Sequence, residues 1–122
     1  MTMDISIIIP VINEERIINQ TLERLRSAKT SGTFEIIVVD GNVSGNTLRA
    51  ITKKNIIKIK SPCGRGAQMN TGARAAKGHI LLFLHADTIL PKNAIDSAIS
   101  ACRLKRIVGG AFDLGIESER PG

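Results

Sequence analysis

A histidine and an aspartate, His85 and Asp87, stand directly beyond the unbroken apolar run of residues 80–84. That run is the pattern of a strand buried on both faces. A lone carboxylate carried to its end costs on the order of several kcal/mol unless it is paired or bound to a metal. Two more apolar runs finish in the same way. "FEIIVVD", residues 34–40, closes on Asp40, and "ISIIIP", residues 5–10, is followed at once by Asn13 and Glu14. Three strand ends therefore carry polar groups. In a parallel α/β sheet that is where ligands bind, at the point where strand order reverses.

The charge of the chain says what kind of ligand to expect. Its net charge is +6, and between Asp40 and Asp87 there is no acidic residue but eight basic ones, among them Arg49, Lys58, Lys60, Arg65 and Arg74. Such an interval suits an anionic partner: a phosphorylated small molecule, a nucleic acid or an anionic membrane surface. A merely solvated basic face explains it equally well. With three phenylalanines and neither Trp nor Tyr, stacking platforms for single-stranded nucleic acid are nearly absent. No helix-turn-helix or finger signature is present, so nucleic acid is an unlikely partner.

The elements that must position these residues alternate. Strands are expected over 5–10, 34–40, 56–60, 79–84 and 109–117. The first helix is capped by Asn13, carries Glu14 and Glu15 in its first turn, and buries Ile18, Leu22 and Leu25. A short helix of small residues runs from about Gln68 to Lys77 and stops at Gly78. Pro91 opens the last helix, with Ile95, Ala98, Ile99 and Cys102 on one side. Lys58 and Lys60 alternate outward, as suits an edge strand. Strand–helix alternation with near-continuous apolar strands implies an α/β fold: three α/β/α layers with a mostly parallel sheet.

At 122 residues the chain is read as a single domain, 1–122. No apolar stretch reaches the roughly 18 residues that a membrane-spanning helix needs. The start lacks the pattern of a signal peptide, so a cytoplasmic protein is expected. Cys63 and Cys102 have no metal or disulfide spacing and are expected to be buried or half-buried free thiols. Two phosphate motifs are excluded. "GRGAQM" has Met69 where a dinucleotide fingerprint needs its third glycine, and "GARAAKG" reverses the end of a P-loop.

The stretches "ISIIIPVINEE", "IIVVDGNVSGNT", "GRGAQMNTGARAAKGHILLFLHADTILP" and "GGAFDL" resemble, in this order, the family 2 glycosyltransferases of the GT-A type. Within them the match is to the subgroup called selenodomain-associated transferases, and it covers residues 5–114. The resemblance implies a nucleotide-diphospho-sugar donor and an acidic motif, often Asp-x-Asp, that binds Mg²⁺ or Mn²⁺ on the diphosphate. A divalent cation with hard oxygen ligands would neutralise the charge that develops on that leaving group. Asp87 matches the metal residue, and His85 is a further candidate ligand. Pro10, Asn13, Glu14, Asp40, Arg65, Asn70 and Ala86 match nucleotide-binding positions. Asp40 would accept from the imide of the base, and Arg65 would fork onto phosphate or lie along the base. Asn70 and Gly72 would let the helix start approach the ligand. Asp87 can also be read as capping the turn before Pro91, Asp40 as an ordinary turn residue, and Gly72 as a packing residue.

Three departures from the family pattern stand out. "HAD" leaves one carboxylate of Asp-x-Asp. Val43 and Gly45 replace a small polar residue and an aspartate in the loop after the second strand. The chain reads as a truncated GT-A domain, since family members continue with the part that binds the acceptor and supplies the catalytic base. That base and the acceptor are unassigned here. With fewer elements to cover the sheet, a homo-oligomer is expected. The alternatives are a non-catalytic nucleotide- or anion-binding module acting with a partner, and a basic nucleic-acid-binding protein.

Overall fold

The computed structural model describes residues 3–28, 30–91, 93–105 and 115–117, with the side chains of 102–105 and 115–117 left aside. The elements are β1 (Met3–Val11), α1 (Ile18–Arg26), β2 (Phe34–Asp40), α2 (Asn46–Ala50), β3 (Ile57–Lys60), α3 (Arg65–Ala75), β4 (Gly78–Phe83), α4 (Ala94–Lys105) and β5 (Gly115–Glu117). The sheet order is β3-β2-β1-β4-β5. The first four strands are parallel, while β5 runs antiparallel to β4.

Side-chain alternation along β1 divides the core in two. Ile5, Ile7, Ile9 and Val11 face a layer built by Ile18, Leu22 and Leu25 of α1, Leu48 of α2, and Ile95, Ala98 and Ile99 of α4. Ile8 faces the other way, joining Ile37, Val39, Leu81 and the small residues Ala73, Ala75 and Ala76 at and just beyond the end of α3. Each fully buried Ile or Leu contributes about 1.5–3 kcal/mol. The expected three layers are therefore present, with α3 alone on its face among the described residues. The chain winds β1-β2-β3 in one direction and then returns through α3 to place β4 on the far side of β1. Strand order reverses between β1 and β4.

Several expected boundaries shift. Asn13 does not cap α1, which starts at Ile18, with Ile17 at the cap position and no acidic residue in its first turn. Asn13 instead takes a positive φ of 54°, and a turn closes from the carbonyl of Glu14 to the amides of Ile17 and Ile18. The third helix begins three residues earlier than expected and stops short of Lys77. Gly78 is the first residue of β4 and not a helix stop. A methyl on it would lie 2.5 Å from the amide nitrogen of Ser6 and 2.6 Å from the carbonyl carbon of Ile5, so close approach to β1 is what requires glycine there. Pro91 precedes α4 by a turn, its carbonyl accepting from the amide of Ala94. The helix α2 lies in a segment expected to be loop, too short for a periodic stripe. Cys63, expected to be at least half-buried, is exposed in the β3–α3 loop. Of the expected fifth strand, 109–114 lies outside the described residues.

Candidate active site

The carboxyl ends of β1, β2 and β4 and the start of α3 meet at one edge of the sheet. Asp40 ends β2 fully buried, and its carboxylate accepts from the amide of Asn42 at 2.9 Å and from that of Leu48 at 3.4 Å. It thus ties the start of the 41–48 loop to α2. Across this loop, the carboxamide oxygen of Asn13 accepts from Asn42 Nδ2 at 2.7 Å and from Asn46 Nδ2 at 3.0 Å. Asn46 also donates to Glu15 at 2.7 Å. The amide of Glu14 donates to Oγ1 of the buried Thr47 at 3.0 Å. The loops after β1 and β2 are in this way stitched into one wall. The Glu15 carboxyl is held below the usual range, first by a backbone hydrogen bond, then by Asn46, and in addition by the charge of Arg16.

The opposite wall comes from α3 and the loop after β4. Arg65 opens α3 behind Gly64, whose φ of 128° suits glycine. Its guanidinium lies against the ring nitrogens of His85, drawing the helix start onto the β4 loop. Ala86 is buried, and its carbonyl accepts from the hydroxyl of Thr21 on α1. Between these fixed neighbours Asp87 is exposed, and its carboxylate has no hydrogen-bond or ion-pair partner among the described residues. It does not cap the turn before Pro91. Strand β1 separates Asp87 from Asp40.

The remaining expected residues divide. Pro10 lies half-buried inside β1 opposite Val39. Asn70 is exposed on the second turn of α3. Gly72 is a packing residue, since a methyl there would lie 2.5 Å from Ile8 Cγ2.

One residue here escaped sequence reasoning. Gln68, 2% exposed on the first turn of α3, donates both Nε2 hydrogens to strand-end carbonyls, Val11 and Val39, each at 2.9 Å. It packs on Gly41 so closely that a methyl there would lie 2.7 Å from its carboxamide carbon. The clue was spacing: 68, 72 and 76 form one i, i+4 stripe whose other members are small packing residues.

The donor set bears on metal binding. Among the described residues no group of three or more His, Cys, Asp or Glu forms a metal cage. One free carboxylate fits a Mg²⁺ or Mn²⁺ ion that keeps most of its shell from phosphate oxygens and water. The ring of His85, occupied by Arg65, would need that guanidinium to move before it could serve as a ligand.

Comparison with known proteins bears on the family and the fold. The profile of glycosyl transferase family 2 matches residues 6–119. The poly(ribitol-phosphate) β-glucosyltransferase of Bacillus spizizenii is 30% identical over 102 residues, which is 76% of this chain and 16% of that protein. The chain thus spans about a sixth of that relative's length. An uncharacterised glycosyltransferase of Nostoc is 27% identical over 93% of this chain and 37% of its own length. Among solved structures, the Pyrobaculum calidifontis mannosyltransferase in complex with GDP-Man and Mn²⁺ superposes with a TM-score of 0.79 at 16% identity, over 97% of this chain and 45% of that one. The Staphylococcus aureus TarS structure with UDP-GlcNAc superposes at 0.69 with 27% identity, over 83% of this chain and 31% of that one. Among the described residues no helix is long and apolar enough to cross a membrane. With a profile match over nearly its whole length and solved structures that superpose on its sheet and helices, the chain belongs to glycosyl transferase family 2 and has the GT-A fold.

Proposed function

We propose that this chain binds a nucleotide-diphospho-sugar together with a divalent cation, as the donor-binding part of a glycosyltransferase. The observation that carries the reading is the exposed carboxylate of Asp87, without a partner among the described residues, in the loop after β4 where Arg65 of α3 meets His85. Solved relatives hold UDP-GlcNAc, or GDP-Man with Mn²⁺, and this supports the donor class.

Each residue then has a task. Asp87 supplies the protein's oxygen ligand to Mg²⁺ or Mn²⁺; when bound, the cation neutralises charge on the departing diphosphate. Arg65 turns from His85 to phosphate, where its planar fork can hold two oxygens. Asp40 reads the base. Its bond to the Leu48 amide is long at 3.4 Å, so this is the interaction a pyrimidine imide can replace. Asn13 and Glu14 frame the nucleoside through the wall that they build with Asn46 and Thr47.

Isothermal titration with UDP and GDP, each with and without Mn²⁺, tests the proposal. Saturable binding that needs the metal and prefers one base is expected. Heat that is independent of Mn²⁺ and equal for both nucleotides would overturn it.

A further inference from the structure

Three cations gather outside the donor site on the free edge of the sheet. Lys58 and Lys60 are exposed on β3, two residues apart and hence on one face, about 7 Å from each other. Ile57 and Ile59 pack toward α3, so the lysines point to the α2 side. The end of Lys60 lies over the Ser44–Gly45 turn: a methyl built on Gly45 would be 2.6 Å from Cε and 3.2 Å from Nζ. Arg49 of α2 reaches the same turn and donates to the carbonyl of Ser44. Among the described residues no carboxylate forms an ion pair with them, although Asp40 is the register partner of Lys60 on β2. The sequence interval is free of acids, and among the described residues the one ion pair is Lys53 with Glu23.

The turn that collects these charges belongs to the 41–48 loop, which also forms the Asp40 and Asn13 wall. The cationic row therefore runs outward from the rim of the donor site. We propose that Arg49, Lys58 and Lys60 form a subsite for the backbone of a phosphodiester-linked polymeric acceptor, an inference that rests on the donor-binding reading above. Successive point charges along an extended edge match a chain with one anion per repeat, whereas a single phosphate would engage only one or two of them. A single-stranded nucleic acid fits less well because its bases need flat partners. Phe34 and Phe83 are half-buried in the sheet, and the chain has no Trp or Tyr. A bilayer also fits less well, since Val43 is the one large apolar side chain exposed on this loop.

The test uses the full chain and a fluorescently labelled poly(glycerol phosphate), with anisotropy measured over a salt series. Saturable, salt-sensitive binding is expected. The double substitution Lys58→Gln with Lys60→Gln should weaken it at least ~10-fold at low salt and flatten the log–log salt slope by about 1.4, at ~0.7 per contact on a single chain. Arg74→Gln with Lys77→Gln, at the other end of the sheet, should leave both quantities unchanged. Thermal melts and UDP titration of the lysine variant should match the parent, which separates this subsite from the donor site. Absence of UDP binding in the parent would defeat the donor reading alone. Equal weakening by both pairs, or tighter binding to single-stranded DNA or phosphatidylglycerol vesicles than to the polymer, would overturn the subsite.

Discussion

Gln68 and Val11 are joined by a buried 2.9 Å hydrogen bond, and the second hydrogen of the same nitrogen reaches Val39. One side chain thus holds the ends of two parallel strands and the start of α3 in register. Gln68→Ala leaves two buried carbonyls short of a donor and should cost about 1–3 kcal/mol of stability. Gln68→Glu, which turns a carboxylate oxygen toward those carbonyls, should cost more than alanine. Urea unfolding of the three proteins checks the order; equal stability of Glu and Gln would show that the clamp does not form.

Asp87→Asn should separate stability from binding. The side chain is exposed and makes no hydrogen bond that the amide would lose. Unfolding should stay within about 0.5 kcal/mol of the parent, while Mn²⁺-dependent nucleotide binding disappears. A mutant that binds like the parent would remove Asp87 from the metal site.

For Asp40→Ala both properties should change. Its carboxylate is buried and accepts from two main-chain amides, so the loop should lose about 1–3 kcal/mol. Affinities for UDP and GDP should also draw together. Denaturation paired with the two titrations distinguishes a base-reading residue, which moves both, from a loop anchor, which moves only the first.

Much of this was legible in the sequence. Three apolar runs became β1, β2 and β4 because strands buried on both faces leave little room for polar interruptions, while β3 was legible from its alternation of Ile and Lys. Asp40 and Asp87 stood out because each follows an apolar run, but only Asp40 is buried and has a desolvation cost to offset; Asp87 is exposed. What escaped notice depended on distant partners. Asn13 has the residue type of a cap, yet its side chain is claimed by Asn42 and Asn46, some thirty positions away. Gly78 looked like a helix stop because nothing local reveals that Ser6 will pass within contact distance. Gln68 marked only the approximate start of a helix, since a polar residue on a small-residue helix gives no sign that two carbonyls wait beneath it.

Two glycines offer a graded test of that close packing. A methyl at Gly72 would meet the side chains of Ile8 and Val39, which can shift, for about 1–3 kcal/mol. A methyl at Gly78 would meet main-chain atoms of β1, which cannot. Gly78→Ala should therefore lower the melting temperature further than Gly72→Ala, and the reverse order would contradict the β1–β4 contact.

The Glu15 carboxyl should titrate below an ordinary glutamate and move part of the way back in Asn46→Ala, as followed by NMR. Because its folded value is depressed, its small stabilising effect is present at neutral pH and is lost as pH falls through that value. An unshifted Glu15 in the parent would show that the stitched wall is open in solution.

The place of β1 at the centre of the sheet has a consequence for how the chain is made. Ile5 pairs with Phe34 on one side but with Ile80 on the other. At about 5–20 residues per second, β4 leaves the ribosome roughly 4–15 s after β1. Throughout that interval one edge of a strand with isoleucine at four of its nine positions is without its neighbour, and α3 has no complete surface to cover. Non-local parallel pairing of this kind is slow to form. The nascent chain is therefore most prone to aggregate before residue 83 has emerged.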